Sequence, residues 1–183
     1  MPSAGNPSDP VYAEIEGRNT ADYLLRTAQQ HHVQVSAMAD RKANIIITVC
    51  SIVVTLVIGR SHEPAFAVPI TILGVFTLIA LLLAIIAVLP SYAPPKIRGE
   101  GRLPKNFNLL FFGHFASLDM ARYELEMARV LAKDANVYRA LVKDLYEIGY
   151  YLAHRKYRFL RWSYFFFLGG FMAAGISQLF FYL

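Results

Sequence analysis

Trp162–Leu183, WSYFFFLGGFMAAGISQLFFYL, carries no charged residue from end to end. Two stretches upstream read the same way. Ala43–Gly59 (ANIIITVCSIVVTLVIG) is uncharged between Lys42 and Arg60, and Ala65–Leu89 (AFAVPITILGVFTLIALLLAIIAVL) is uncharged beyond Glu63. A helix rises about 1.5 Å per residue and the hydrocarbon of a bilayer is roughly 30 Å thick, so about 20 apolar residues cross it. All three stretches fall in that range. The expected fold is an all-α integral membrane protein with three transmembrane helices at about residues 43–60, 66–89 and 162–183.

Composition agrees. Hydrophobic residues make up 56% of the chain and charged ones 17%, against about 25% charged in an ordinary globular protein. The first apolar stretch follows a polar segment, so it does not read as a cleaved signal peptide. The lone cysteine, Cys50, lies mid-span; it has no intrachain disulfide partner and reads as a small packing residue.

Three spans put residues 1–42 and 90–161 on one side, and the short loop Arg60–Pro64 on the other. Of the 18 Lys and Arg residues, all but Arg60 then share the first side. The positive-inside rule makes that side the cytoplasm and leaves the C-terminus outside. The net charge of +5 follows from this topology and from anionic lipid, and is not read as a nucleic-acid footprint.

Residues 1–18, rich in Pro, Ser and Gly in their first part, are expected to be disordered. Thr20 is a candidate N-cap for a helix with Asp22 in its first turn. No Pro or Gly follows until Gly59, so one helix is expected to run from the cytoplasm into the membrane. Leu24, Ala28, His31, Val35, Met38 and Ile45 recur on one face of it. Pro, Gly and basic residues mark 90–116 as a linker; within it, Asn106–Phe115 is apolar but short, suited to the membrane interface or to a groove between helices. Ser117 can cap a helix ending near Asp134, and Asp134 or Asn136 can cap the next. There Val137, Leu141, Leu145, Ile148 and Leu152 form an apolar stripe, and that helix is expected to continue straight into the third span. Cytoplasmic helices 20–42 and 117–161 would thus form a bundle within one domain, 19–183.

No catalytic or metal-binding motif is present. The five histidines are scattered, and His31 and His32, being adjacent, diverge by about 100° on a helix. The reading is of a non-enzyme with no cofactor and no metal. Asp40, Arg41, Lys42 and Asn44 cluster where the first helix meets the membrane. Arg and Lys there reach toward headgroups. Asp40 is either half of a structural ion pair or part of a ligand site, and Asn44 can bond across helices or hold a ligand edge. In the last span Gly169, Gly170, Ala173 and Ala174 form a small-residue patch that admits a close helix. Packing against the other spans is one reading, and contact in a homo-oligomer the other.

Three ordered segments, Ala39–Gly59 (ADRKANIIITVCSIVVTLVIG), Asn108–Tyr123 (NLLFFGHFASLDMARY) and Tyr138–Gly170 (YRALVKDLYEIGYYLAHRKYRFLRWSYFFFLGG), resemble the membrane domain of Pycsar effectors. The resemblance implies an antiphage role. A neighbouring nucleotide cyclase makes a cyclic pyrimidine nucleotide on infection, and the effector senses it and disrupts the bacterial inner membrane, causing abortive infection. Some relatives carry a separate ligand-binding domain. In this chain the expected site lies in its own cytoplasmic helices, with Arg122 and Arg139 as phosphate donors and Tyr123 and Tyr146 as stacking faces for cyclic UMP or cyclic CMP. Asp40, Lys42 and Asn44 are expected to serve signalling. The competing reading is a constitutive membrane scaffold that recruits a soluble partner protein.

The topology is open to direct test. Reporter fusions after Gly5 and after Leu183 should report cytoplasm and exterior respectively. Two cytoplasmic termini would overturn three spans.

Overall fold

The computed structural model describes residues 19–60, 66–89 and 103–182. The expected disordered segment, the loop after Arg60 and the linker from 90 to 102 lie outside the described residues. The elements are α1 (Asn19–Arg60), α2 (Ala67–Val88), α3 (Phe112–Phe115), α4 (Met120–Leu131), α5 (Asp134–Tyr151), a π turn (Leu152–Lys156) and α6 (Tyr157–Tyr182). Three stretches, Thr20–Arg60, Ala67–Val88 and Asp134–Phe180, are long and apolar enough to cross a membrane. The chain divides into two compact units, Met1–His32 with Ser91–Gly149, and Val33–Pro90 with Tyr150–Leu183.

The second unit holds the apolar helices. Its core is built from Ala39, Ala43, Ile46 and Cys50 of α1, Ala80, Ala84 and Ala87 of α2, and Leu160 of α6. The Ser163 hydroxyl donates to the Ala80 carbonyl at 2.7 Å, and Tyr164 donates to the Lys42 carbonyl at 3.3 Å. Tyr157 donates to the Val35 carbonyl at 3.1 Å. Partners of α1 thus rise along the chain as those of α6 rise, so the two helices run parallel. Partners on α2 fall, from Ala80 opposite Ser163 to Phe76 opposite Gly170, so α2 runs antiparallel to α6.

Small residues face inward and large ones outward. Ile45, Ile52, Leu56, Leu78, Leu82, Leu168 and Leu179 are exposed, the inverse of a water-soluble bundle and the pattern expected where lipid is as apolar as leucine. Exposed hydroxyls on these helices are satisfied locally. Thr48, Ser51, Thr55 and Thr71 each donate to the carbonyl four residues back, at 2.7–3.0 Å.

On the α1 face picked out by helical spacing, Leu24, His31, Met38 and Ile45 are exposed and Ala28 and Val35 half-buried; the fully buried positions are Ala39, Ala43, Ile46 and Cys50, one step round the helix. Periodicity of large apolar residues marks the outer surface here, because close helix packing selects alanine. A π turn links α5 to α6. The Tyr157 N–H bonds the Leu152 carbonyl five residues back. Leu152, Lys156 and Leu160 are all buried, two successive steps of four. An uninterrupted α-helix would rotate such a series by about 80°, and the wider turn absorbs that rotation. The helix therefore continues into the third span, as expected, with a π turn set within its course.

The patch Gly169–Ala174 is in use within the chain. A Cβ on Gly170 would lie 2.6 Å from the Cβ of Phe76, and one on Gly169 would lie 3.6 Å from the Phe76 ring. Ala174 is buried as well. These positions let α2 approach α6, so a second subunit meets Gly170 only if α2 withdraws.

Gly170→Ala should therefore cost about 1–3 kcal/mol by overpacking. Gly175 has open space around its Cβ position, so Gly175→Ala should be stabilising by up to about 1 kcal/mol through helix propensity. Thermal unfolding in detergent, read by circular dichroism, compares the two; equal shifts would refute the assigned contact.

Candidate functional site

The first unit is organised around Asn108, within the apolar segment expected at the membrane interface or in a groove. Within it Phe107 and Asn108 are buried, Asn108 bonded to Asp144 of α5, while Phe112 is exposed. The Asn108 amide nitrogen donates to Asp144 Oδ1 at 3.0 Å and to Glu147 Oε2 at 2.9 Å. Its side-chain oxygen accepts from the Leu110 N–H, and its own N–H donates to His114 Nδ1. Every polar atom of that side chain is thus engaged. Lys143 closes the far edge, donating to the carbonyls of Lys105 and Phe107 at 2.7 Å each.

Asp144 is 3% exposed. It also accepts from Gln29 of α1 at 3.4 Å. Burial pushes its carboxyl above the ordinary value of 3.8, and the Glu147 charge adds to the effect; bonds from Asn108 and Gln29 and the nearby His32 oppose it. His114 is pushed the other way, below 6.5, by burial first and by Lys143 second, against the pull of Glu147. A neutral imidazole suits the acceptor role of Nδ1. Gly149 leaves room for the His32 ring, which would stand 3.5 Å from a Cβ there.

Beside this network is an open cleft of about 450 Å³, lined by Asp22, Tyr23, Leu25, Arg26, Gln29 and Leu141. Its size falls in the range of small-ligand sites, about 300–1,000 Å³. It offers one guanidinium, one phenol ring and the polar groups of Asp22 and Gln29. Asp22 is held by the Tyr138 hydroxyl at 2.9 Å, a bond that pushes the Tyr138 phenol above its ordinary value. Asp22, Arg26 and Gln29 recur at helical spacing, a polar stripe visible in the sequence though not singled out there.

In the second unit Asp40 forms an ion pair. Lys156 Nζ lies 2.7 Å from Asp40 Oδ1 and donates to Ser36 Oγ at 2.9 Å. Lys156 is 8% exposed, and the π turn delivers it to α1. Lys42 and Asn44 are exposed, their carbonyls accepting from Tyr164 and Thr48.

The nucleotide candidates sit in the first unit. Tyr123 packs its ring on Phe115 at 5.1 Å between centroids. Arg139 and Tyr146 are exposed two turns apart on α5, and Arg122 is half-buried on α4. Three local expectations change. Asp119, not Ser117, caps α4, its side chain accepting from the Arg122 N–H at 2.8 Å; the Ser117 hydroxyl donates instead to the His114 carbonyl. Helix α4 ends at Leu131, ahead of the expected Asp134. Asn136 does not cap α5, which begins at Asp134; its amide donates to the Arg129 carbonyl at 3.3 Å. Among the described residues no three His, Cys, Asp or Glu side chains converge as metal ligands.

The Asn108 network makes a testable claim. Asn108→Ala removes the donor shared by two carboxylates and should cost about 1–3 kcal/mol. The pH sign follows from Asp144. A carboxyl whose folded pKa is raised binds its proton more tightly when folded, so stability is lost as pH rises from below 3.8 through the raised value. Asn108→Ala should steepen that loss, and adding Asp144→Asn should flatten it. Thermal unfolding from about pH 4 to 7 reads both variants. Superimposable profiles would refute the network.

Comparison with known proteins adds one match. No curated protein and no solved structure gives a significant match to the chain. Residues 23–183 match the family PycTM, described as the Pycsar effector protein domain. That span includes the whole described course of both units except the first turn of α1. The chain therefore belongs to the PycTM family of Pycsar effector protein domains.

Proposed function

We propose that this chain is an antiphage effector of the bacterial inner membrane, acting without enzymatic chemistry. A cyclic pyrimidine nucleotide, cyclic UMP or cyclic CMP, made by a partner cyclase, binds its cytoplasmic helices and switches the membrane helices to a permeabilising homo-oligomer. The observation that carries this reading is the family match over residues 23–183. The three helices of membrane-crossing length support the place of action. Nothing observed favours the alternative of a constitutive scaffold.

The cleft at Asp22–Gln29 is our first choice for the ligand. Arg26 would meet the single phosphate, Tyr23 the base face, and Gln29 or Asp22 a base edge. Arg122, Tyr123, Arg139 and Tyr146 remain the second choice. Helix α1 carries both the cleft residues and Asp40, so one continuous helix joins the proposed sensor to the Asp40–Lys156 pair. A ligand shifts such an equilibrium only by its differential affinity for the two states. Asp40 is our candidate for the signalling contact, because breaking it leaves a buried ammonium without its carboxylate.

Calorimetry on the detergent-solubilised chain with cyclic UMP, cyclic CMP, cyclic AMP and cyclic GMP tests the ligand. A pyrimidine nucleotide should bind, and Arg26→Gln should weaken it on the order of tenfold or more. Asp40→Asn should bind unchanged yet fail to permeabilise vesicles. Binding of purines alone would refute the pyrimidine assignment, and no binding at all would point to a protein trigger.

A further inference from the structure

A groove of about 590 Å³ runs between α1 and α6 in the second unit, lined by Ile45 and Val49 on one side and Phe165 and Leu168 on the other, with Arg161 and Tyr164 toward one end. Arg161 holds its guanidinium over the Phe165 ring, 5.4 Å from the centroid. From Arg161 to Leu168 the groove descends seven residues of α6, roughly 10 Å. Below Arg161 and Tyr164 its walls are hydrocarbon and aromatic ring.

Cations gather at the Arg161 end. Arg41 stands one turn before Ile45 on α1, and Lys42 stands one turn before Ile46, which also lines the groove. On α6, Arg158 precedes Arg161 by one turn. Arg41, Lys42, Arg158 and Arg161 are all exposed. The pattern is asymmetric along the helix axis, with charge at one end and only apolar surface at the other. An anionic glycerophospholipid has the same asymmetry. Its phosphate is a bidentate acceptor for guanidinium, and its acyl chain needs an apolar channel.

A second copy of the chain fits less well. Parallel copies in one membrane would bring the four cations against their own counterparts, and like charge across an interface is costly. The walls are also bulky, whereas close helix contact selects Gly, Ala and Ser.

We propose that the α1–α6 groove is a binding site for one anionic phospholipid, its headgroup held by Arg41, Lys42, Arg158 and Arg161 and an acyl chain lying along Val49 and Leu168. The site rests on the three helices lying in a membrane and is independent of nucleotide sensing, so it is tested with no nucleotide present.

The full chain in nanodiscs of equimolar phosphatidylglycerol and phosphatidylcholine is released into a native mass spectrometer. The wild type should retain one phosphatidylglycerol on the order of tenfold more often than phosphatidylcholine. Arg41→Gln with Arg161→Gln should abolish the preference. Val49→Phe with Leu168→Phe leaves every cation in place and should also lose the lipid, because the channel is filled. Equal retention of both lipids by the wild type, or wild-type retention by the filled variant, would overturn the site. Oxidation of Val49→Cys in a Cys50→Ala background, in native membranes, should give no disulfide between copies; a high yield would assign the groove to a second copy instead.

Discussion

Helices meeting through Ala39, Ala43 and Cys50 on one side and Ala80, Ala84 and Ala87 on another approach more closely than leucine would allow. The second unit depends on that approach. Without a hydrophobic drive between helices in lipid, contact has to be made by van der Waals packing and polar bonds at short range. Gly170 removes the last obstacle, at Phe76, and Ser163 converts the proximity into a hydrogen bond to the Ala80 carbonyl. Once the small residues are inside, the large ones have nowhere to go but outward. The oily exterior of these helices is thus a result of how they pack.

The two units stabilise themselves by different means. In the second, the exposed hydroxyls bond locally, and single polar contacts between helices, from Tyr157, Ser163, Tyr164 and Lys156, pin an otherwise apolar seam. In the first, the buried centre is a polar network, with one asparagine amide shared between two carboxylates. Such a network is costly when any member is missing and specific when all are present. It fixes which rotation of α5 faces the segment around Asn108, a job that the half-buried leucines of the same helix do only loosely.

What the sequence revealed depended on range. The three apolar helices were legible because absence of charge over a whole span is a property of neighbours, and Cys50 could be read as packing for the same reason. The continuous α1 followed from the lack of Pro and Gly. Its buried face did not, because alternation of large apolar residues marks the core only when water is outside. The Asn108–Asp144–Glu147 cluster joins positions 36 and 39 residues apart, and only one sign of it was local: a carboxylate at Asp144 interrupting the stripe of Leu141, Leu145 and Ile148. The π turn at Leu152–Lys156 contains neither Gly nor Pro. Its cause is the need to keep Leu152, Lys156 and Leu160 on one side, a demand set by partners elsewhere in the chain.

Lys156 and Ser36 stand 120 positions apart, and this separation orders events during synthesis. Asp40, Ser36 and the alanine seam of α1 and α2 leave the ribosome long before their partner exists. Until the rest of the chain follows, Asp40 and Ser36 lack Lys156, and the Ala80 carbonyl lacks the Ser163 hydroxyl. The π turn and α6 bring both in succession, the Lys156 ammonium from the turn and Ser163 and Gly170 from the helix. A nascent chain halted after α2 would be a two-helix fragment with its adhesive surface open, whereas the finished chain has spent that surface on itself.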